Sequence, residues 1–222
     1  MLTQVNKAFI KIVSGSESRR SRLHDLKGNF ALRTASDIAD CMFSLATCLV
    51  RVSTGYRVRR PWIASNAFRF LQRRIGNETR VFEWGSGMST LWFSSNCREV
   101  HSVEDNASWI HFLRSRAESA KFYCLAGDPY FRKIHEFPPG YFDVIIVDGR
   151  QRLCCFQAAH QHLKIGGLLV IDNTDRHQET RGDEYHINRL LTGSISYKVL
   201  RFTGWAPGLF FPQETTVCIR LR

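Results

Sequence analysis

The run VFEWGSGMST at residues 81–90 constrains the fold of this chain more than any other feature. An apolar stretch is followed by two glycines one residue apart, Gly85 and Gly87, and then by small polar residues. Glycine between a strand and a helix lets the backbone approach a ligand closely. A second apolar run ends in Glu104 and Asp105, where an acid can accept hydrogen bonds from both hydroxyls of a ribose. The glycine turn and the acid after the second apolar run together predict a nucleoside-binding βαβ unit.

The turn differs from the dinucleotide-binding fingerprint, which has a third glycine for close packing of helix on strand. Thr90 stands at that third position, and Glu83 precedes the first glycine. An anion is a poor neighbour for a diphosphate but a good one for a cationic or zwitterionic ligand. We therefore predict a nucleoside ligand without phosphate, contacted by Glu83, Ser89 and Thr90 as well as by the glycines.

Strands and helices alternate from residue 80 onward, which indicates a parallel sheet covered on both faces. After these units, two apolar runs flank a long loop and predict a final antiparallel hairpin. The predicted strands lie near 80–84, 99–104, 121–125, 142–148, 167–172, 196–202 and 215–221, and the predicted helices near 88–95, 106–119, 151–163 and 183–192.

The front of the chain is predicted to be a basic helical extension, residues 1–79, ahead of a binding domain at residues 80–222. Its helices are expected at 36–50 and 62–75, where apolar residues recur at helical spacing. Residues 1–80 contain 15 Lys and Arg but 5 Asp and Glu, so they carry almost all of the net charge of +11. This asymmetry favours weak, salt-sensitive contact with nucleic acid or an anionic surface, although a solvated basic face would show the same charge.

Seven cysteines, an odd number, include no C-x-x-C pair and no zinc spacing. This pattern predicts reduced thiols in a cytoplasmic protein. The most apolar stretch, residues 38–50, is too short to span a bilayer. A buried helix is the simpler interpretation, and peripheral association with a membrane surface stays open because arginines follow the stretch.

Ligands of open α/β sheets bind beyond the carboxyl ends of the strands. Asp128 follows the third predicted strand, Asp148 ends the fourth, and Asp172 with Asn173 ends the fifth. We therefore expect polar side chains from several strands at one edge of the sheet. Trp109, by contrast, is predicted to belong to the core of its helix.

The glycine turn, the acid at the end of the second strand and the order of elements resemble class I S-adenosylmethionine-dependent methyltransferases, whose first motif reads roughly E-x-G-x-G. The resemblance covers residues 80–222. It implies a Rossmann-like α/β fold with a mostly parallel sheet and an antiparallel C-terminal hairpin strand. It also implies S-adenosylmethionine as cofactor, with Glu104 and Asp105 at the ribose and Asp128 at the adenine amino group.

The segments FDVIIVDG and GGLLVIDN are similar to the metal-bearing segments of catechol-type and macrocin-type O-methyltransferases. That similarity implies Mg²⁺ bound by Asp148, Asp172 and Asn173, with Asp148 in a catalytic role. His177 is a candidate general base because it follows the fifth strand closely. The sequence departs from the catechol-type pattern at Arg150-Gln151-Arg152, which would suit an anionic or sugar-phosphate substrate.

The resulting prediction is methyl transfer from S-adenosylmethionine to an oxygen of a small molecule or glycan. One alternative is an NAD(P)-dependent Rossmann oxidoreductase, which the missing third glycine, Glu83 and the absence of a Tyr-x-x-x-Lys pair disfavour. Another is a non-catalytic protein of the same fold that binds nucleic acid or a membrane surface. The basic front supports it, whereas the set of acids at the strand ends argues against it.

Overall fold

The computed structural model describes residue 15 and residues 18–117, 119–178 and 182–222, with the side chains of residues 177 and 178 left out. The helices are α1 (Ala35–Thr54), α2 (Ser65–Gln72), α3 (Met88–Asn96), α4 (Ala107–Arg114), α5 (Asp128–Arg132), α6 (Arg152–His162) and α7 (Asp183–Leu191). The strands are β1 (Arg80–Trp84), β2 (Glu99–Glu104), β3 (Ala120–Cys124), β4 (Phe142–Val147), β5 (Leu163–Asp172), β6 (Tyr197–Trp205) and β7 (Pro212–Arg220). Short 3₁₀ turns occupy Lys133–Glu136 and Thr174–Gln178.

All seven strands form one sheet in the order β3-β2-β1-β4-β5-β7-β6. Strands β1 to β5 run parallel, whereas β7 pairs antiparallel with both β5 and β6. After β1 the chain builds β2 and β3 on one side, and it then returns to build β4 on the other side. This change of direction leaves a crevice between the ends of β1 and β4, where ligands of such sheets bind. The predicted Rossmann-like sheet with an antiparallel final strand is confirmed.

The sheet is buried on both faces, as its continuous apolar strands predict. One face packs Phe82, Ile145 and Leu169 against α6 and α7, and the other packs Val81, Val144 and Val170 against α2 and α3. Both sets are almost completely buried. This burial holds the strand ends, and hence the crevice, in fixed positions.

Helix α2 is part of the core although it precedes the first strand. Ala67, Phe68 and Leu71 lie against Val81 and Val217 in one cluster of buried side chains. Helix α1 packs against β6, and an ion pair of 2.8 Å joins its Asp40 to Arg69 of α2. The predicted boundary at residue 79 therefore does not separate two packed units, because α2 shares a core with the sheet. Residues 1–14, 16 and 17 of the predicted extension lie outside the described residues.

Several element boundaries differ from the predicted ones. Helix α1 begins after an N-cap at Thr34, whose hydroxyl and Asp37 form a reciprocal capping box, and it ends at Gly55 in the left-handed conformation. Helix α4 ends five positions before the predicted residue 119, β5 begins at Leu163 instead of residue 167, and the hairpin strands are longer than predicted. Capping and pairing between strands extend α1, β5 and the hairpin strands beyond what apolar periodicity indicates, whereas α4 is shorter than predicted.

Within the described residues, no helix is both long and apolar enough to cross a bilayer. The seven cysteines are free thiols, as their number and spacing predict.

Candidate active site

The glycine turn after β1 interlocks with the turn after β4. Gly85 has φ of 94°, and a Cβ placed on it would lie 2.8 Å from backbone atoms of Asp148 and Gly149. A Cβ on Gly149 would meet the Tyr130 hydroxyl at 1.9 Å and the Gly85 nitrogen at 2.8 Å. Only glycine therefore lets the two backbones approach so closely. Both glycines line the cavity described below.

Glu83 lies beneath the turn and braces it. Its carboxylate, which has no exposed surface, accepts hydrogen bonds from the hydroxyls of Ser89, Thr90 (2.5 Å) and Ser102 (3.0 Å). Burial raises the pKa of Glu83 to about 7, although the three hydroxyls oppose the shift. Glu83 and Thr90 do not line the cavity above them, so the structure gives them a supporting position.

A cavity of about 620 Å³ opens above the turn, at the carboxyl ends of β1, β2 and β4. It brings together five of the predicted cofactor residues. It is lined by Gly85, Gly87, Ser89, Glu104 and Asp105, together with Arg57, Trp62, Trp109, Tyr130, Asp148 and Arg150. We call it the cofactor cavity. Its volume suits a nucleoside-sized ligand.

Glu104 is fixed at the edge of the cofactor cavity by backbone donors. Its Oε2 accepts from the Ser86 amide at 3.2 Å, and its Oε1 accepts from the Asp105 and Asn106 amides at 3.1 and 3.0 Å. Burial, followed by the neighbouring Asp105, raises the pKa of Glu104. Each carboxylate oxygen keeps further acceptor capacity for a ligand hydroxyl.

Two residues lie elsewhere than the sequence indicates. Trp109 is only partly buried; its ring lines the cofactor cavity, and its Nε1 donates to the Ser86 carbonyl at 2.8 Å. Asp128 does not line the cavity, and its largely exposed side chain pairs with Arg132 at 3.5 Å. The apolar periodicity of α4 predicts a core position for Trp109. It cannot show that a residue at the start of a helix faces a ligand site instead.

A second cavity of about 400 Å³ adjoins the cofactor cavity and shares Trp62 and Asp148 with it. We call it the acceptor cavity. Its walls include apolar groups, Leu209 and Phe211 from the β6–β7 loop, and charged groups, namely Arg19 near the front of the chain and the acids and arginine at the ends of β4 and β5 and in the turn after β5. Trp62 is held there because it packs on Gly208 and its carbonyl accepts from Gln213 at 3.0 Å.

The three predicted metal ligands lie together at the ends of β4 and β5, but both carboxylate oxygens of Asp172 and one of Asp148 are already engaged. Asp172 accepts hydrogen bonds from Asn173 (2.7 Å), Gln213 (2.9 Å) and Thr215 (2.5 Å). The Asn173 amide therefore directs its NH₂ group, which cannot bind a cation, toward Asp172. Burial and the charge of Asp148 raise the pKa of Asp172 to about 8.

The guanidinium of Arg152 occupies the space between these two strand ends. It donates to the Asp148 carboxylate at 2.9 Å and to the Asp172 carbonyl at 2.7 Å, and Glu184 lies 3.4 Å away. The donor set and the fixed positive charge do not fit a bridging Mg²⁺. Among the described residues, no three His, Cys, Asp or Glu side chains gather in a group that could hold a metal.

Asp175 is a candidate that sequence reasoning missed. It lines the acceptor cavity with 2% of its surface exposed, and no side chain among the described residues donates a hydrogen bond to either of its oxygens. Arg19 Nη2 lies 3.8 Å from it. Burial raises the pKa of Asp175 to about 6. The sequence did contain a signal for this residue, since Asp175 follows the fifth strand only two positions after Asn173. His177 belongs to the same 3₁₀ turn, but its side chain lies outside the described residues.

No family model and no curated protein matches the sequence. Solved structures do match the fold, which is that of class I S-adenosylmethionine-dependent methyltransferases. An O-methyltransferase from Bacillus cereus in complex with S-adenosylhomocysteine has a TM-score of 0.58 and 13% identity, over 99% of this chain and 100% of that chain. TomG from Streptomyces achromogenes, an O-methyltransferase in complex with S-adenosylmethionine, has a TM-score of 0.56 and 14% identity over 86% and 82%.

The same fold occurs in enzymes with other acceptors. An rRNA methylase from Streptococcus thermophilus has a TM-score of 0.56 and 13% identity, over 69% of this chain and 93% of that chain. At such identities the comparisons establish the architecture of this chain, and the acceptor has to be argued from its own residues.

Proposed function

We propose that this protein transfers the methyl group of S-adenosylmethionine to an oxygen of a small molecule or glycan. The observation that carries the proposal is the junction of two cavities at Asp148 and Trp62. One cavity has the glycine turn and ribose-facing acid of a nucleoside site, and the other has room and polar groups for an acceptor. A transfer reaction needs both ligands held side by side.

The residues present fit S-adenosylmethionine. Glu104 would accept hydrogen bonds from the two ribose hydroxyls, Trp109 and Met88 would offer apolar surface, and the turn at Gly85 would allow close approach of the ligand. When bound, the cofactor supplies a methyl group on a positively charged sulfur. Asp105, engaged by an ion pair with Arg150, borders the same end of the cavity as Glu104.

On the acceptor side, the chain supplies positioning and a proton acceptor. Trp62 and Phe211 give the cavity flat apolar walls, and Asp175 presents a buried carboxylate to it. A hydroxyl that donates to this carboxylate would be oriented, and its proton would have an acceptor within reach. Asp175 thus joins Asp148 and His177 as a candidate for this role.

An oxidoreductase is less well supported, because Thr90, where the dinucleotide fingerprint has glycine, is buried and bonded to Glu83. A cytoplasmic location and contact of the basic front with anionic partners remain part of the proposal. Isothermal calorimetry with S-adenosylhomocysteine and, separately, NAD tests the core of it. Micromolar binding of the first and none of the second is expected, whereas the reverse order would refute the assignment.

A further inference from the structure

A third concavity, of about 280 Å³, lies beside the cofactor cavity and shares Arg57 and Met88 with it. We call it the arginine groove. It is formed by the segment after α1 together with α3 and α4, and its lining includes Tyr56, Arg57, Arg59, Met88, Phe112 and Arg116. The acceptor cavity shares other residues, Trp62 and Asp148, with the cofactor cavity. The groove is therefore separate from the acceptor cavity.

The positive charge of the arginine groove is not neutralised by the described residues. No Asp or Glu lines it, and none of the described carboxylates pairs with Arg57, Arg59 or Arg116. Arginines elsewhere near the site do have acidic partners, as Arg150 has Asp105. A concave surface whose described lining has three arginines and no acid attracts polyanions.

Aromatic rings alternate with these arginines. Trp109 and Phe112 stack with centroids 5.1 Å apart and planes at 11°. The Arg57 guanidinium lies 4.9 Å from the Trp109 ring centre, and that of Arg116 lies 4.0 Å from the Phe112 ring centre. Tyr56, at the rim, is 58% exposed. Guanidinium planes and exposed aromatic rings are the surfaces on which unpaired bases stack.

We infer that the arginine groove binds single-stranded nucleic acid, with its arginines on successive phosphates and a base against Tyr56. A bilayer would contact protruding apolar side chains, whereas here the rings lie within a concavity between charged groups. A duplex keeps its bases stacked on each other and offers Tyr56 no free base face. The net charge suggests an anionic partner, and the arginine groove gives that partner a specific binding site. This inference does not depend on the chemistry in the acceptor cavity.

The test uses the full chain and a fluorescein-labelled oligouridylate of about 12 nucleotides, read by fluorescence anisotropy. Three phosphate contacts predict a log–log salt slope of about −2, or a loss of roughly twentyfold between about 50 and 200 mM salt. The double variant Arg59→Ala/Arg116→Ala should reduce the slope to about −0.7 and weaken binding at least tenfold near 100 mM salt. Tyr56→Ala should weaken binding about fivefold or more with an unchanged slope.

The matched control is Arg98→Ala/Arg132→Ala, which removes the same charge from exposed arginines outside the groove. It should bind the oligonucleotide within about twofold of the parent. S-adenosylhomocysteine binding to both doubles serves as the check on folding and is read separately from the oligonucleotide result. Equal losses in the two doubles, no effect of Tyr56→Ala, equal affinity for a duplex, or preference for phosphatidylserine vesicles would each overturn the inference.

Discussion

At the scale of single residues, Glu104 is the most direct test of the cofactor cavity. If Glu104 binds the ribose as proposed, Glu104→Ala would remove two charge-assisted hydrogen bonds, and S-adenosylhomocysteine affinity should fall by about 3 kcal/mol, or roughly a hundredfold. Calorimetry measures the change. Asp128→Ala is the matched control, since this acid lies outside the cavity, and it should leave affinity unchanged. Equal affinities of the parent and Glu104→Ala would remove the ribose assignment.

Glu83 makes stability depend on pH. Its pKa is about 7 in the folded protein against an ordinary 4.5, so the folded state keeps a proton that the unfolded state loses. The stability contributed by the protonated form is therefore complete below about pH 4.5 and is lost as pH rises to about 7. Relative to Glu83→Gln, the parent should lose about 3 kcal/mol of unfolding free energy across this window.

Urea denaturation of the parent and of Glu83→Gln at several pH values measures this difference. The comparison cancels the titration of Asp172 and Asp175, which both proteins retain. A difference that stays constant from about pH 5 to 8 would mean that Glu83 ionises normally in the fold.

At the scale of elements, the interlocked turns after β1 and β4 predict that Gly149 tolerates no side chain. Gly149→Ala would place a Cβ on the Tyr130 hydroxyl and on the Gly85 backbone, so the turns must separate. We expect S-adenosylhomocysteine binding to fall at least tenfold and unfolding free energy to fall by about 1–3 kcal/mol. Gly76→Ala has open space at its Cβ and should change neither quantity by much. Calorimetry and urea denaturation report both, and an unaffected Gly149→Ala would contradict the interlock.

The ends of β4 and β5 predict that a divalent ion adds nothing to stability. Arg152 already supplies the positive charge between Asp148 and the Asp172 carbonyl. Melting temperature should therefore be the same in about 5 mM Mg²⁺ as in excess chelator, because a ligand stabilises only the state it binds. A rise of several degrees with Mg²⁺ would restore the ion that the resemblance implies.

Much of the element order was predictable because each strand is a continuous apolar run with small or acidic residues at its end. The glycine turn and Glu104 were also recognisable, since their spacing carries the chemistry. The sequence does not show which residues, far apart along the chain, meet at the carboxyl edge of the sheet. Arg152 was expected, with Arg150, to suit an anionic substrate, yet its side chain is buried and donates to Asp148 and to the Asp172 carbonyl at two strand ends. Trp62 and Gln213, 151 positions apart, meet by a hydrogen bond that no local pattern specifies.

At the scale of the whole molecule, the buried face of α2 predicts that residues 80–222 do not fold alone. Removing Phe68 and Leu71 would uncover Val81 and Val217, and losing each large core side chain costs about 2–5 kcal/mol. These losses approach the total stability of an ordinary domain. Circular dichroism and thermal melting should show no cooperative transition for this fragment, whereas a fragment of residues 58–222, which keeps α2, should retain one. Cooperative melting of residues 80–222 would instead support a domain boundary at residue 79.

Hydrogen bonds between segments far apart along the chain hold together the region around the acceptor cavity. Arg22 reaches the Phe210 carbonyl across 188 positions, and the Ala64 amide reaches the Thr215 hydroxyl across 151. Such contacts form late in folding, because the entropy cost of closing a long loop is incurred before the contact contributes any stabilising free energy. During refolding, the ability to bind a nucleoside should therefore return before the acceptor pocket is complete, and an early collapsed state would hold the cofactor with its reactive group still open to water.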